Sequence, residues 1–264
     1  MRLKTVNILQ NPFNGEKLSL TEKDTKQILH DLKGNEFYIN DGIPNFLRPE
    51  DLCGDNGKYE KFYNRVGYIA GLFEGLMSKF FDFDEMRKEW LQDIEIKPGS
   101  KVLEVSIGNG WNLRKFPKDT TFYGLDISKG MLHQCKKNFK SWDINADLFL
   151  GSAEYLPFKD GVFDVIFHIG GINFFNDKKR ALNEMYRVAK PGTKIIIIDE
   201  TDKDIKEKYQ KIPIIRRLFK DRDVDGKTKP PLEFIPEGAS HVELKLIDNE
   251  SMYQLSFVKD KNDF

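Results

Sequence analysis

Cysteine is scarce in this chain: Cys53 and Cys135 are the only two in 264 residues. Two thiols allow at most one disulfide and cannot furnish a four-thiolate zinc site, so reduced thiols in the cytoplasm are expected. An excess of one charge is missing as well. Lys+Arg and Asp+Glu stand at 42 each, so no global field draws the protein to nucleic acid or to an acidic membrane. No apolar run approaches the roughly 20 residues of a membrane span. The opening stretch MRLKTVNIL lacks the long apolar segment and small-residue cleavage site of a secretory leader. Internal repeats and low-complexity tracts are absent too. What remains, 39% hydrophobic and 32% charged residues, fits a soluble globular protein with one full core and room for a small appended domain.

Four regions succeed one another. Residues 1–50 are rich in Asn, Asp and Gly, carry short strand-like pieces at Lys17–Leu20 and Glu36–Asn40, and close on NDGIPNFL. Residues 51–95 have helical character and end at Pro98-Gly99. Residues 100–200 alternate: KVLEVSI (101–107), TFYGLDI (121–127), DLFLG (147–151), VFDVIFHI (162–169) and TKIIIIDE (193–200) read as strands. KGMLHQCKKNF and KKRALNEMYRVAK between them read as helices, the second stopped by Lys190-Pro191-Gly192. This alternation implies a parallel sheet with helices on both faces, and IIII suits a strand buried on both sides. Residues 201–236 are basic and Pro-punctuated, and 241–259 read as two strands around Asp248-Asn249.

The chemistry concentrates in VLEVSIGNG (102–110), read as strand, Gly-containing loop and helix start. Such a loop lets a ligand approach backbone N–H groups. Sixteen residues past Gly110 stands Asp126, at the end of the next strand, placed to accept two ribose hydroxyls. Loop, acid and alternating sheet together point to a nucleoside-containing ligand.

VLEVSIGNG, YGLDISKGML, GSAEYLPFKDGVFDVIF and ALNEMYRVAKPGTKIIIIDE, in this order, resemble the class I S-adenosylmethionine-dependent methyltransferases, and most of all the ubiquinone/menaquinone-biosynthesis group. The resemblance covers about residues 58–200, with the final hairpin matching the family's antiparallel end. It implies a doubly wound, mostly parallel seven-stranded Rossmann-like sheet with an antiparallel C-terminal hairpin. It implies S-adenosyl-L-methionine as cofactor and S-adenosyl-L-homocysteine as product. Glu104 then lies near the methionine amino end, and Gly108 and Gly110 allow close backbone approach. Asp126 holds the ribose, Ile127 packs on adenine, and Met131 belongs to the same binding set. Ser152 and Ala153 meet the adenine edge, and His168 and Ile169 line the methionine side. Relatives usually have Gly in place of Ser106 and Asp in place of Ser152. Both departures are expected to weaken cofactor binding, together by about 1–2 kcal/mol. Relatives also often place Tyr-Asp where Ala70-Gly71 stands; Tyr63 or Tyr68 could cover the cofactor instead, although core packing is the ordinary reading of both.

Methyl transfer is an in-line displacement that needs alignment and exclusion of water, and a base only where the nucleophile carries a proton. His168 is the histidine placed for that role, with cofactor lining or a satisfied buried histidine as the alternative. FHIGGINFFND (167–177) lacks the Asn/Asp-Pro-Pro-Tyr/Phe signature of amine methylation, which leaves carbon or oxygen of a small, lipophilic acceptor. A substrate lid is expected from residues 56–95, within the helical cap at 51–95, and from the insertion at 201–236. Within the latter, KIPIIRRLFK (211–220) offers peripheral membrane contact, against the simpler reading of a lid helix packed on the core.

NPFNG (11–15) and YINDGIPNFL (38–47) are similar to the ends of the zinc-ribbon domains of the Trm-type methyltransferase activators, with Asn11 and Asn14 where the first cysteines stand. The second pair falls near Leu32–Asn35, which holds no cysteine. Residues 1–50 are thus expected to be a metal-free ribbon-like domain, with asparagine side chains holding the turns, ahead of a methyltransferase domain at 51–264. Ribbons also precede ribosomal RNA methyltransferases, so an RNA substrate is the alternative, disfavoured by the balanced charge of residues 1–60. A catalytically silent cofactor-binding protein is a third reading, with Ser106 and Ser152 in its favour and Asp126, Gly108 and Gly110 against it.

Overall fold

The computed structural model describes residues 2–23, 25–77, 83–201 and 229–261. After a short helix α1 (Leu3–Val6), strands β1 (Ser19–Lys23), β2 (Lys26–His30), β3 (Glu36–Asn40) and β4 (Ile43–Pro44) form an antiparallel sheet in that order. In β3 Phe37 and Ile39 point inward while Glu36, Tyr38 and Asn40 face out, the alternation of a half-buried strand. Asp41 and Gly42 turn the chain into β4, both at positive φ (53° and 78°), as a two-residue hairpin with a right-handed twist requires.

Helices α2 (Gly54–Met77) and α3 (Phe83–Leu91) come next. The second sheet then contains β5 (Lys101–Val105), β6 (Thr121–Asp126), β7 (Ala146–Leu150), β8 (Val165–Ile169), β9 (Lys194–Glu200), β10 (Ala239–Ile247) and β11 (Met252–Lys259), with α4 (Lys129–Trp142) and α5 (Lys178–Val188) as crossovers. Its order is β10-β11-β9-β8-β5-β6-β7. β5 to β9 run parallel, and β11 pairs antiparallel with both β9 and β10. Each strand expected from 100–200 is present, as is the hairpin, whose turn holds Asp248 and Asn249 at positive φ.

Two apolar layers flank the sheet. Ile195 and Ile197 enter one and Ile196 and Ile198 the other, so β9 is buried from both sides. The first layer runs without a break from Leu9, Leu29, Phe37 and Phe46 to Phe149, Phe158 and Ile166. The N-terminal sheet therefore shares a core with the larger one. It also covers its edge: the Phe46 N–H donates to the Leu150 carbonyl at 2.8 Å, and Asn45 bridges Leu150 in parallel. Such cover shields an otherwise open strand.

Most of the expected lid at 201–236, including KIPIIRRLFK, lies outside the described residues. Its end does not: a 3₁₀ turn at Leu232–Phe234 sets Phe234 and Ile235 against the core. Tyr63 is half-buried with its ring 5.2 Å from Phe62 and 6.4 Å from Tyr59. The side chain of Tyr68 lies outside the described residues.

Candidate active site

The strand order reverses at β5, which lies between β6 and β8. In open α/β sheets such a reversal opens a crevice above the carboxyl ends of the strands. The loop after β5 occupies that place. Ser106, Gly108 and Gly110 all take positive φ (59°, 56° and 80°). At Gly110 a Cβ would lie 2.4 Å from the Phe139 ring and 2.7 Å from Cys135 Sγ, so only glycine fits. Ile107 donates its N–H to the Leu125 carbonyl at 3.0 Å and pins the loop to β6. It packs where a Cβ on Gly124 would stand 2.3 Å away. The segment after Gly110 corrects the expectation of a helix: Trp111–Lys115 is a single 3₁₀ turn. So short a turn has little macrodipole to offer an anion, and recognition falls to side chains and loop amides.

Two carboxyl groups face this loop from one side of the sheet, Glu104 on β5 and Asp126 at the end of β6. Glu104 is fully buried. Its Oε1 accepts from Asn112 Nδ2 at 2.6 Å, and its Oε2 is buried with no partner among the described residues. Burial raises its pKa to about 8; the nearby Asp126 charge adds to this, while the Asn112 bond and the Arg87 charge oppose it. Asp126 accepts the Gly108 N–H on Oδ2 and the Ser128 N–H on Oδ1, both at 2.8 Å. Burial lifts its pKa to about 6 against the bonds from the Ser128, Gly108 and Ile127 amides. Asp126 thus ties the glycine loop to the start of α4.

Helix α4 is docked from outside. The Ser128 hydroxyl caps it, accepting from the Met131 N–H at 3.1 Å and donating to Asn64 Oδ1 at 2.9 Å. The same Asn64 oxygen accepts the Gly130 N–H at 2.8 Å. A Cβ at Gly130 would stand 2.4 Å from the Asn64 carbonyl oxygen, so α2 lies directly on α4. Met131 projects over the loop, its Cε 3.3 Å from where a Gly108 Cβ would be. Sequence reasoning missed Asn64 and Asn112. Asn112 sits two residues past a recognised motif and could have been found; Asn64 lies in a long helical run without any signal.

The loop after β7 joins the same rim, since the Gly151 N–H donates to the Asp126 carbonyl at 3.0 Å. Ser152 and Ala153 are buried there, and Ser152 Oγ accepts the Glu154 N–H at 3.2 Å. Ile127 is half-buried beside Asp126. His168 behaves differently. Val105 pairs with His168 and Glu104 with Phe167, so the imidazole projects from the sheet face opposite Glu104. It is fully buried, its Nδ1 lies 2.9 Å from the Val105 carbonyl, and its Nε2 has no partner among the described residues. Nδ1 is therefore the protonated nitrogen. Burial pushes its pKa down, opposed by Asp199 and the Val105 bond. Ile169, next along, is half-buried. A cavity of about 270 Å³ beside Phe116, Phe122 and Trp142 opens at the amino ends of β6 and β7, away from this rim.

At 11–35 the cysteine-free turn has a definite construction. Asp31 Oδ2 accepts from Asn11, Asn14 and Asn35 Nδ2 at 2.7, 3.0 and 2.7 Å. Its Oδ1 accepts the Lys33 and Asn35 N–H groups at 2.9 Å. Asn11 and Asn14 are the residues expected to hold the first turn, Asn35 lies in the stretch expected for the second pair, and Asp31 stands just before it.

Strand order, glycine loop and paired carboxyls define a class I methyltransferase fold. Comparison with known proteins agrees. Residues 103–197 match the family described as "Methyltransferase domain". Demethylmenaquinone methyltransferase of Bacillus mycoides is 35% identical over 118 residues, 43% of this chain and 50% of that protein. The ubiquinone/menaquinone biosynthesis C-methyltransferase of Wigglesworthia glossinidia brevipalpis is 30% identical over 151 residues, 54% of this chain and 60% of that one. The chain thus spans about half to three-fifths of the length of these curated relatives. A Methanococcus maripaludis protein assigned as an S-adenosyl-L-methionine-dependent methyltransferase shares the fold, with a TM-score of 0.53 at 19% identity over 77% of this chain and 94% of that one. So does a chain of the complex of the Haloferax volcanii Trm112 methyltransferase activator, with a TM-score of 0.53 at 17% identity over 75% and 97%. Residues 103–197 thus match a methyltransferase-domain family, and the chain is similar to the methyltransferases of the ubiquinone/menaquinone-biosynthesis group.

Proposed function

We propose that the protein transfers a methyl group from S-adenosyl-L-methionine to a carbon or oxygen of a small, lipophilic acceptor of the quinol or phenol class. The observation that carries this reading is the unpartnered, buried Oε2 of Glu104 beside a glycine loop anchored by Asp126. A buried acceptor without a donor is costly unless a ligand supplies one. The amino group of the cofactor's methionine end is such a donor, so the residues fit the cofactor.

When bound, the cofactor supplies a methyl group on a sulfonium, an electrophile with a good leaving group. The protein's part is to hold and orient. Glu104 receives the amino group, Gly108 and Gly110 admit the backbone close to the ligand, and Asp126 keeps lone pairs for the ribose hydroxyls. Ile127, Met131 and Ala153 supply apolar contact for adenine. Ser152 already accepts from Glu154, which leaves its O–H and one lone pair for the adenine edge. The acceptor class is supported by the two curated relatives named for quinone biosynthesis.

His168 is proposed as proton acceptor for an acceptor molecule that must lose a proton, because its buried Nε2 has no hydrogen-bond partner among the described residues and burial disfavours its charged form. Its test is His168→Asn. A fall in kcat of about 100-fold with unchanged S-adenosylhomocysteine affinity assigns it as base. A joint loss of that affinity assigns it instead to holding Val105 and the loop.

The cofactor site itself is tested by calorimetric titration with S-adenosylhomocysteine. Binding is expected in the intact protein and a loss of at least tenfold in affinity in Asp126→Ala. Absence of binding by the intact protein removes the proposal.

A further inference from the structure

The seven-stranded sheet has two edges of unlike character. The β7 edge is covered by Asn45 and Phe46. At the other edge β10 pairs with β11 alone among the described residues. Along it Val242, Leu244 and Leu246 are 45, 44 and 56% exposed. Glu243 and Lys245 alternate with them and are exposed too. Leu244 and Leu246 stand opposite Leu255 and Tyr253, both fully buried in the main core. The apolar row therefore prolongs a core layer past the point where it is covered. A β-bulge between Ser240 and Glu243 disturbs the start of the strand, and Glu243–Ile247 keeps a regular ladder to β11. Natural edge strands are commonly blunted by charges, prolines or bulges, and here the bulge and the two charged residues leave the apolar row exposed. This one carries Leu244 and Leu246 on its open regular ladder and Val242 in the bulge just before it.

We propose that this edge pairs antiparallel with the β10 edge of a second copy of the chain, about a two-fold axis at Leu244. The sequence of the strand selects both the partner and the register. With Leu244 opposite its own copy, Glu243 meets the partner subunit's Lys245, and Val242 meets the partner subunit's Leu246, each pair occurring twice. Directly opposed residues of an antiparallel pair share a face. Apolar side chains thus join on one face and opposite charges on the other. Centring on Glu243 sets two glutamates against each other, and centring on Lys245 does the same for two lysines. A slip of one residue places the apolar row of one copy beside the charged row of the other. Lys245 already lies 2.8 Å from Asp93, but about half of its side chain remains exposed, so it can serve both carboxylates. Self-complementarity about a two-fold is what an isologous interface demands.

Sedimentation velocity of the full chain over a range of concentrations, at low salt, tests this. The wild type is expected to pass from 30.8 kDa to twice that mass. Glu243→Lys and Lys245→Glu each create two like-charge pairs and are expected to weaken the dimer at least tenfold. The double variant Glu243→Lys/Lys245→Glu restores both pairs and is expected to return the dimer. Unchanged thermal melts confirm that the variants are folded. A wild type that stays monomeric, single variants that dimerise as well as the wild type, or a double variant that fails to recover each overturns the proposal.

Discussion

Ser106 shows how one side chain can sit against its backbone. Its φ of 59° lies in the region that glycine enters without cost and other residues enter at roughly 1 kcal/mol. The family resemblance implies glycine at this position, and the torsion supplies a reason for it. Ser106→Gly is therefore expected to raise stability by up to about 1 kcal/mol, less the greater chain entropy of glycine in the unfolded state, as read from urea unfolding. Glu104 carries the second residue-level consequence. Its folded pKa of about 8 exceeds the 4.5 of an ordinary glutamate, so the folded state holds a proton there that the unfolded state has lost. This contribution favours folding below pH 4.5 and is lost progressively as pH rises toward 8. For the ligand the sign is opposite: an amino group needs the ionised carboxylate. S-Adenosylhomocysteine affinity is expected to rise with pH up to about 8 and then level, with proton release on binding. Calorimetry in buffers of different ionisation enthalpy measures both.

Among the elements, the turn around Asp31 is the clearest case of side chains building backbone. One carboxylate oxygen takes three amide donors and the other takes two backbone N–H groups. Burial would raise this pKa, but the bonds from Asn35, Asn14 and Asn11 outweigh it and hold it well below the usual carboxylate range. Stability from this source is complete above the unfolded value of about 3.9 and lost as pH falls below it. Asp31→Asn has no orientation that serves both sides, since its NH₂ must face either three amides or two backbone donors. It is expected to cost about 3 kcal/mol, measured by chemical denaturation. The asparagines at 11 and 14 were legible as turn-holders because Asn-Pro and Asn-Gly are turn signals. Strand β2 was not legible: its outer residues are Lys26 and Gln27, and only Ile28 and Leu29 enter the core. The 3₁₀ turn after Gly110 escaped for a similar reason. Gly110 at its start is pressed against Phe139 and Cys135, a tertiary contact that local propensity does not report.

For the whole molecule, the parallel strands were readable because burial on both faces demands continuous apolar runs such as Ile195–Ile198. Their order was readable only through the resemblance, since no local pattern says that β8 returns to lie beside β5. The contact of the N-terminal sheet with β7 was not readable either, being made by main-chain groups of Asn45, Phe46 and Leu150. That shared core carries a prediction. The two sheets are expected to unfold in one transition, so that Phe46→Ala, which opens a cavity between them, lowers the single melting point by an amount equivalent to about 3–4 kcal/mol. Two separate transitions in calorimetry oppose the single core.

The seat around Asp31 also sets how the protein ages. Asn14 precedes Gly15, the pairing at which a main-chain amide attacks the asparagine side chain most readily, releasing ammonia and leaving a carboxylate. That carboxylate stands where an amide now donates to Asp31 at 3.0 Å, so a favourable bond becomes a repulsion between like charges. A turn held by side-chain amides lasts only as long as those amides stay intact.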